Sequence, residues 1–146
     1  MTDLANLPPV LAEIAEEFQA LDSQSKLEYL IELAEELPDL PEKFQDHPDL
    51  LERVIECQSP VYIFVEVDEQ NTVHFHATAP RESPTTRAFA SIVHQGVNGL
   101  TAEQVLAIPE DFVDMLGLKE IISPLRVRGM LGLLVRTKRK VREAIA

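Results

Sequence analysis

Val61-Tyr62-Ile63-Phe64-Val65-Glu66-Val67-Asp68-Glu69-Gln70-Asn71-Thr72-Val73-His74-Phe75-His76-Ala77-Thr78 decides the fold class. Two apolar runs alternate in it with the two-residue period of a β-strand. In the first, Val61, Ile63, Val65 and Val67 share a face; Tyr62 and Phe64 opposite them suggest that both sides are partly covered. In the second, Val73, Phe75 and Ala77 point one way, His74 and His76 the other. The polar Asp68-Glu69-Gln70-Asn71 between them suits a hairpin loop.

Helical signals lie on both sides of this hairpin. Upstream, Leu11, Ile14, Phe18 and Leu21 form one face of a helix from about Pro9 to Leu21, with Pro9 in the first turn. Asp22 or Ser23 caps a second helix, whose predicted apolar stripe is Leu27, Leu30, Ile31 and Ala34. The prolines of Leu37-Pro38-Asp39-Leu40-Pro41 stop it. Residues 42–52 read as irregular, and Arg53 to Ile55 as a short strand.

Downstream, Ser83-Pro84 pairs an N-cap with a first-turn proline, and Phe89, Ile92, Val93 and Val97 follow as a stripe that Asn98-Gly99 ends. Thr101-Ala102-Glu103-Gln104 fits a capping box for a short helix stopping before Pro109. Another spans Glu110 to Leu116, closed by Gly117. Ser123-Pro124 opens a last helix to about Glu143, with Val127, Met130, Leu131 and Leu134 on its buried face. Helices, then antiparallel strands, then helices define an α+β fold: a small antiparallel sheet flanked by helices, expected as one domain over residues 1–146.

Composition narrows the partners. A net charge of −12 opposes contact with phosphate backbones, and 5% aromatics with no tryptophan argue against stacking platforms, so no nucleic-acid partner is expected. Residues 1–50 are rich in acids and hold only Lys26 and Lys43 as cations. The other end is basic, with Arg136, Lys138, Arg139, Lys140 and Arg142; such a run reads first as a solvated helix end complementing the dipole. Met1-Thr2-Asp3-Leu4 does not resemble a signal peptide, and no apolar run reaches membrane-spanning length, so no membrane is expected. One unpaired thiol suits the reducing cytoplasm.

That thiol is Cys57, in Val54-Ile55-Glu56-Cys57-Gln58-Ser59-Pro60-Val61-Tyr62, at a turn before the first strand of the hairpin. Alone it forms neither an internal disulfide nor a cysteine-rich metal site. Spacing reads it first as a small buried hydrophobe and second as a nucleophile meeting something from outside. His74 and His76 have a spacing that can bind zinc, but no third ligand is signalled, and no metal or resident cofactor is expected. Arg126 falls near the third position of the last helix, where a cation opposes the dipole. It reads either as the partner of a surface carboxylate or as part of an anion-favouring site formed with the helix start. Gly129 and Gly132, one turn apart, allow close approach of another element, expected to be the sheet.

Four stretches, in order, carry a family resemblance. Cys57-Gln58-Ser59 followed by an apolar strand resembles the cysteine motif of the SufE family of sulfur acceptors. Ser123-Pro124-Leu125-Arg126-Val127-Arg128-Gly129-Met130 resembles its Ser/Thr-Pro-x-Arg-x-x-Gly-Leu helix start. Leu100 to Leu106 is similar to its short helix after the middle helix, and Lys26 to Ala34 with Leu37-Pro38 and Leu40-Pro41 to its N-terminal segment. The chain departs from the family at Glu56, where glycine is usual, and at Pro60-Val61-Tyr62 in place of Gln-Val-Trp. Glu56 adds a charge that opposes thiolate formation.

The resemblance implies a small antiparallel sheet flanked by helices and a sulfur acceptor. Cys57 would take persulfide sulfur from a pyridoxal-phosphate cysteine desulfurase and pass it to iron–sulfur scaffold proteins. Arg126 would support the anionic sulfur, and Gln58 and Ser59 would shape the loop and the partner contact. The chain would be a sulfur-transfer partner rather than an enzyme. The alternative is a non-catalytic adaptor that activates a desulfurase by docking.

Overall fold

The computed structural model describes residues 4–45, 47–57 and 59–146. In chain order its elements are α1 (Pro9–Ala20), α2 (Ser23–Glu35), α3 (Glu42–Gln45), β1 (Glu52–Arg53), β2 (Tyr62–Val67), β3 (Val73–Thr78), α4 (Pro84–Val97), α5 (Ala102–Leu106), α6 (Phe112–Met115) and α7 (Pro124–Ile145). The alternating runs pair as the expected hairpin, antiparallel, with Tyr62 opposite Thr78 and Val67 opposite Val73. Asn71 takes a positive φ of 65° in the connecting loop, and Asp68 Oδ1 accepts from the amides of Gln70 and Thr72. β1 adds a third antiparallel strand beside β2, giving the order β1-β2-β3.

Ile63, Val65, Val73, Phe75 and Ala77 are buried on one face of the sheet. There α7 lies against β2 and α4 against β3, while α2 packs on α4. On the other face Phe44 of α3 packs with tilted rings against Phe64, centroids 4.5 Å apart, and against His76 at 5.1 Å. Both sides are therefore partly covered, as the side chains of Tyr62 and Phe64 indicated. Thr101 and Gln104 form the capping box of α5.

Several details depart from the sequence reading. Residues 42–52 contain the short helix α3, a 3-10 turn at Pro48–Leu50 and the start of β1, so they are not wholly irregular. β1 begins one residue earlier than expected and stops at Arg53, because the chain turns out of the sheet after Val54. Leu27 and Ile31 are exposed; the buried stripe of α2 is Leu30, Leu33 and Ala34. Leu27-Leu30-Ile31-Ala34 and Leu30-Leu33-Ala34-Leu37 are overlapping stripes at helical spacing, and packing against α4 selects the second. Leu131 is likewise exposed and Val127 only partly buried; of the expected stripe α7 buries Met130 and Leu134, and it adds Leu133 and Val141.

Candidate functional site

Cys57 lies in the loop that joins β1 to β2. Val54 N–H donates to the Val61 carbonyl (2.9 Å) and closes the base of the loop. Cys57 N–H turns back onto the Val54 carbonyl (3.1 Å), which leaves Ile55 projecting, 71% exposed. The cysteine itself points inward and is only 7% exposed. Its thiol donates to the Gly129 carbonyl oxygen, at 3.6 Å.

The two glycines of α7 make this seat possible. A Cβ on Gly129 would stand 3.3 Å from Cys57 Sγ, and one on Gly132 would stand 2.5 Å from Glu56 Cβ. The close approach expected of these glycines is present, but against the thiol loop rather than the sheet. A sheet would need repeated contact along a strand; here one protruding loop meets one turn of helix.

Further along α7 the basic residues are a solvated end only in part: Arg142 is exposed in the last turn, but Arg136, Lys138, Arg139 and Lys140 are engaged. Arg136 Nε donates to both carboxylate oxygens of Glu56, at 2.5 and 3.1 Å, and its Nη1 donates to Glu52 (2.9 Å). Arg139 and Lys140 also reach Glu52, and Lys138 is buried with Nζ donating to the Ile108 carbonyl (2.7 Å). Arg136, Arg139 and Lys140 thus hold Glu52 and Glu56 on the approach to Cys57, and the Arg136 bond keeps the Glu56 carboxyl below its ordinary range. The thiol is pushed up to about 11: burial does most of this, the Glu56 charge adds to it, and the Arg136 charge opposes it. In its seat the sulfur is therefore a protonated thiol at neutral pH.

Cys57, Ser59 and Arg126 line one cavity of about 100 Å³, with Ser83, Phe89, Leu125 and Gly129 among its other walls. Ser59 Oγ donates to Ser83 Oγ (2.7 Å). Ser83 occupies the N-cap position of α4 yet makes no side-chain cap bond, because its hydroxyl is turned to Ser59 instead. Ser123 does cap α7, accepting from the Arg126 amide (3.3 Å). The exposed Arg126 side chain forms no ion pair or hydrogen bond among the described residues, so the surface carboxylate pairing is not found. Glu82 also lines the cavity and brings a carboxylate near its rim. Gln58 lies outside the described residues.

His74 and His76 are engaged elsewhere. His74 Nε2 lies 2.8 Å from Asp68 Oδ2, and His76 packs on Phe44. Among the described residues no group of three or more His, Cys, Asp or Glu is placed to hold a metal ion. The residues that sequence reasoning missed are Arg136, Glu52 and Ser83. For Arg136 a signal existed: Gly129, Gly132 and Arg136 recur at i, i+3 and i+7, one helix face.

This combination defines a class: an α+β domain that holds one thiol in a loop, seated on the N-terminal half of a long helix. Comparison with known proteins places it more closely. Residues 12–141 match the SufE family model, described as an Fe-S metabolism associated domain. A SufE-like protein of Mycobacterium tuberculosis is 47% identical over 144 residues, covering 99% of each chain. The "Cysteine desulfuration protein SufE" of Plasmodium falciparum is 26% identical and covers 93% of this chain and 55% of that protein. The solution structure of a Thermus thermophilus protein superposes with a TM-score of 0.82 at 34% identity, over 95% of this chain and 98% of that one. The chain belongs to the SufE family, a family of Fe–S metabolism. Among the described residues, no helix is long and apolar enough to cross a membrane.

Proposed function

We propose that Cys57 accepts sulfur from the persulfide of a pyridoxal-phosphate cysteine desulfurase and carries it toward iron–sulfur scaffold proteins in the cytoplasm. The observation that carries this reading is the shared cavity: the one thiol of the chain and Arg126, without an ion pair among the described residues, line the same space. About 100 Å³ leaves room for several water-sized groups, hence for one added sulfur atom. The similarity to a relative named for cysteine desulfuration supports the same reading.

In the transfer, the Cys57 thiol first gives up its proton to solvent. The thiolate attacks the outer sulfur of the partner's persulfide, and a new S–S bond forms on Cys57. The partner's S–S bond breaks, and its cysteine leaves as a thiolate. The sulfur moves without net oxidation or reduction, and no other reagent is consumed. Arg126 stands beside the resulting anion, while Phe89 and Leu125 give the cavity apolar walls that keep stray thiols away. Since the seated thiol is protonated and covered, its rate comes from docking and loop movement rather than from a reactive free thiol.

The test is intact mass after incubation with the organism's desulfurase and cysteine. One added sulfur on Cys57, absent from Cys57→Ser, is the expected result. No added mass, with desulfurase turnover equally stimulated by the parent and by Cys57→Ser, would instead establish an adaptor that works by docking.

A further inference from the structure

Two side-chain tethers flank Cys57 among the described residues. After it, Ser59 is bonded to Ser83. Before it, Glu56 is gripped by Arg136 through both carboxylate oxygens. The second tether is the firmer one. Arg136 is only 14% exposed at its side chain, and it is itself fixed by Glu52, which Arg139 and Lys140 also hold. Gly132 lets the Glu56 side chain lie flat on α7, so the carboxylate reaches Arg136 one turn further along. Opening the loop therefore breaks this ion pair first, since Cys57 follows Glu56 directly in the chain. A cysteine that is 7% exposed, with its thiol bonded to the Gly129 carbonyl, cannot meet another protein's sulfur without such an opening.

We infer that Arg136 is a positioning residue for the thiol: its ion pair with Glu56 latches the loop shut, and a docking partner releases Cys57 by breaking it. The release step rests on Cys57 being the sulfur acceptor; the latch itself is tested with no partner present. Family members with glycine before the cysteine have no carboxylate to latch, so this device is a property of the chain's own Glu56–Arg136 pair.

The experiment measures alkylation of Cys57 by iodoacetamide in the parent, Glu56→Gln, Arg136→Gln and the double variant. A latch makes both single variants faster, by about fivefold as befits one solvent-touching ion pair. Because the two changes break the same contact, the double variant is no faster than the faster single. Arg136→Lys, which keeps the charge, stays nearer the parent than Arg136→Gln does. Through-space tuning of the thiol predicts opposite signs, because losing the Glu56 charge favours thiolate and losing the Arg136 charge disfavours it. Slower or unchanged alkylation in Arg136→Gln overturns the latch.

If Arg136→Gln does not fold, hydrogen exchange on Glu56→Gln decides. Exchange of the Cys57 amide quickens while the amides of β2 and β3 hold their rates; an unchanged Cys57 amide overturns the latch. Sulfur acceptance by the parent, measured separately with a desulfurase, tests the functional reading. Either idea can thus fail while the other stands.

Discussion

Cys57 Sγ rests on the backbone of α7, 3.6 Å from the Gly129 carbonyl oxygen and 3.3 Å from where a Cβ on Gly129 would stand. The sulfur is thus positioned by main chain rather than by a side chain. The helix residues around it are constrained by their size more than by their chemistry.

Size constraints differ between the two glycines, and substitution should show it. Replacing an interior helical glycine by alanine gains about 1 kcal/mol of helix propensity. At Gly129 the new methyl makes a tight contact that Cys57 can relieve by a few tenths of an ångström. Gly129→Ala should therefore lie within about 1 kcal/mol of the parent. At Gly132 the clash is 2.5 Å to Glu56 Cβ, which side-chain rotation cannot relieve, so the loop backbone must shift. Gly132→Ala should lose about 1–3 kcal/mol, the usual cost of overpacking. Urea midpoints at constant m-value check the order; a greater loss at Gly129 would contradict this geometry.

Thiol burial makes stability depend on alkaline pH. The folded pKa of Cys57 is raised from 9.0 to about 11. Between those values the unfolded chain has lost its proton while the folded one keeps it, so the folded state binds more protons. The contribution is fully present below about 9 and is lost as pH rises through about 11. Stability of the parent should therefore fall across this window relative to Cys57→Ala. Parallel slopes for the two proteins would show that the thiol is not held in this seat.

Arg87 offers a test of the scaffold behind the site. Its guanidinium donates to the carbonyls of Ala34, Leu37 and Ala79, tying the end of α2 and the exit of β3 to α4. Arg87→Met keeps the aliphatic stem but leaves three carbonyls without this donor. A partly buried group left unpaired costs about 1–3 kcal/mol. The variant should lose roughly that amount in urea unfolding, whereas Arg81→Ala, at an exposed position, should stay within about 0.5 kcal/mol. Equal small effects at both positions would remove the proposed anchoring by Arg87.

Local pattern explains which features were legible in the sequence. The hairpin was readable because Val61 to Val67 and Thr72 to Thr78 alternate strictly, and a one-residue slip would turn the apolar set outward. The starts of α5 and α7 were readable because Thr101 and Ser123 are caps whose partners lie three residues on. Leu27, Ile31 and Leu131 were misplaced because overlapping stripes at helical spacing are resolved only by the neighbouring helix. The thiol seat was legible in part: Cys57 and Arg126 could be singled out, and Gly129 and Gly132 promised a close approach. Its electrostatics were not, because Glu56 meets its cation 80 residues later in the chain. Read alone, Glu56 was only a charge opposing the thiolate; paired with Arg136, it also fastens the loop.

Arg126 provides the sharpest separation of function from stability. It is the third residue of α7, where a positive charge opposes the helix dipole, and it forms no ion pair with a described carboxylate. Removing the charge should stabilise the helix by about 0.3–1 kcal/mol. Arg128, exposed in the same turn, should behave similarly. The two residues should part in function, because Arg126 lines the Cys57 cavity and Arg128 does not. Arg126→Ala is expected to slow sulfur acceptance by about two- to fivefold, the kinetic equivalent of a cation of that strength beside the anionic sulfur. Arg128→Ala should accept sulfur at the parent rate. Urea unfolding and timed mass spectrometry of Cys57 check both halves. An Arg126→Ala protein that is more stable and equally fast would leave the cation without a part in the transfer.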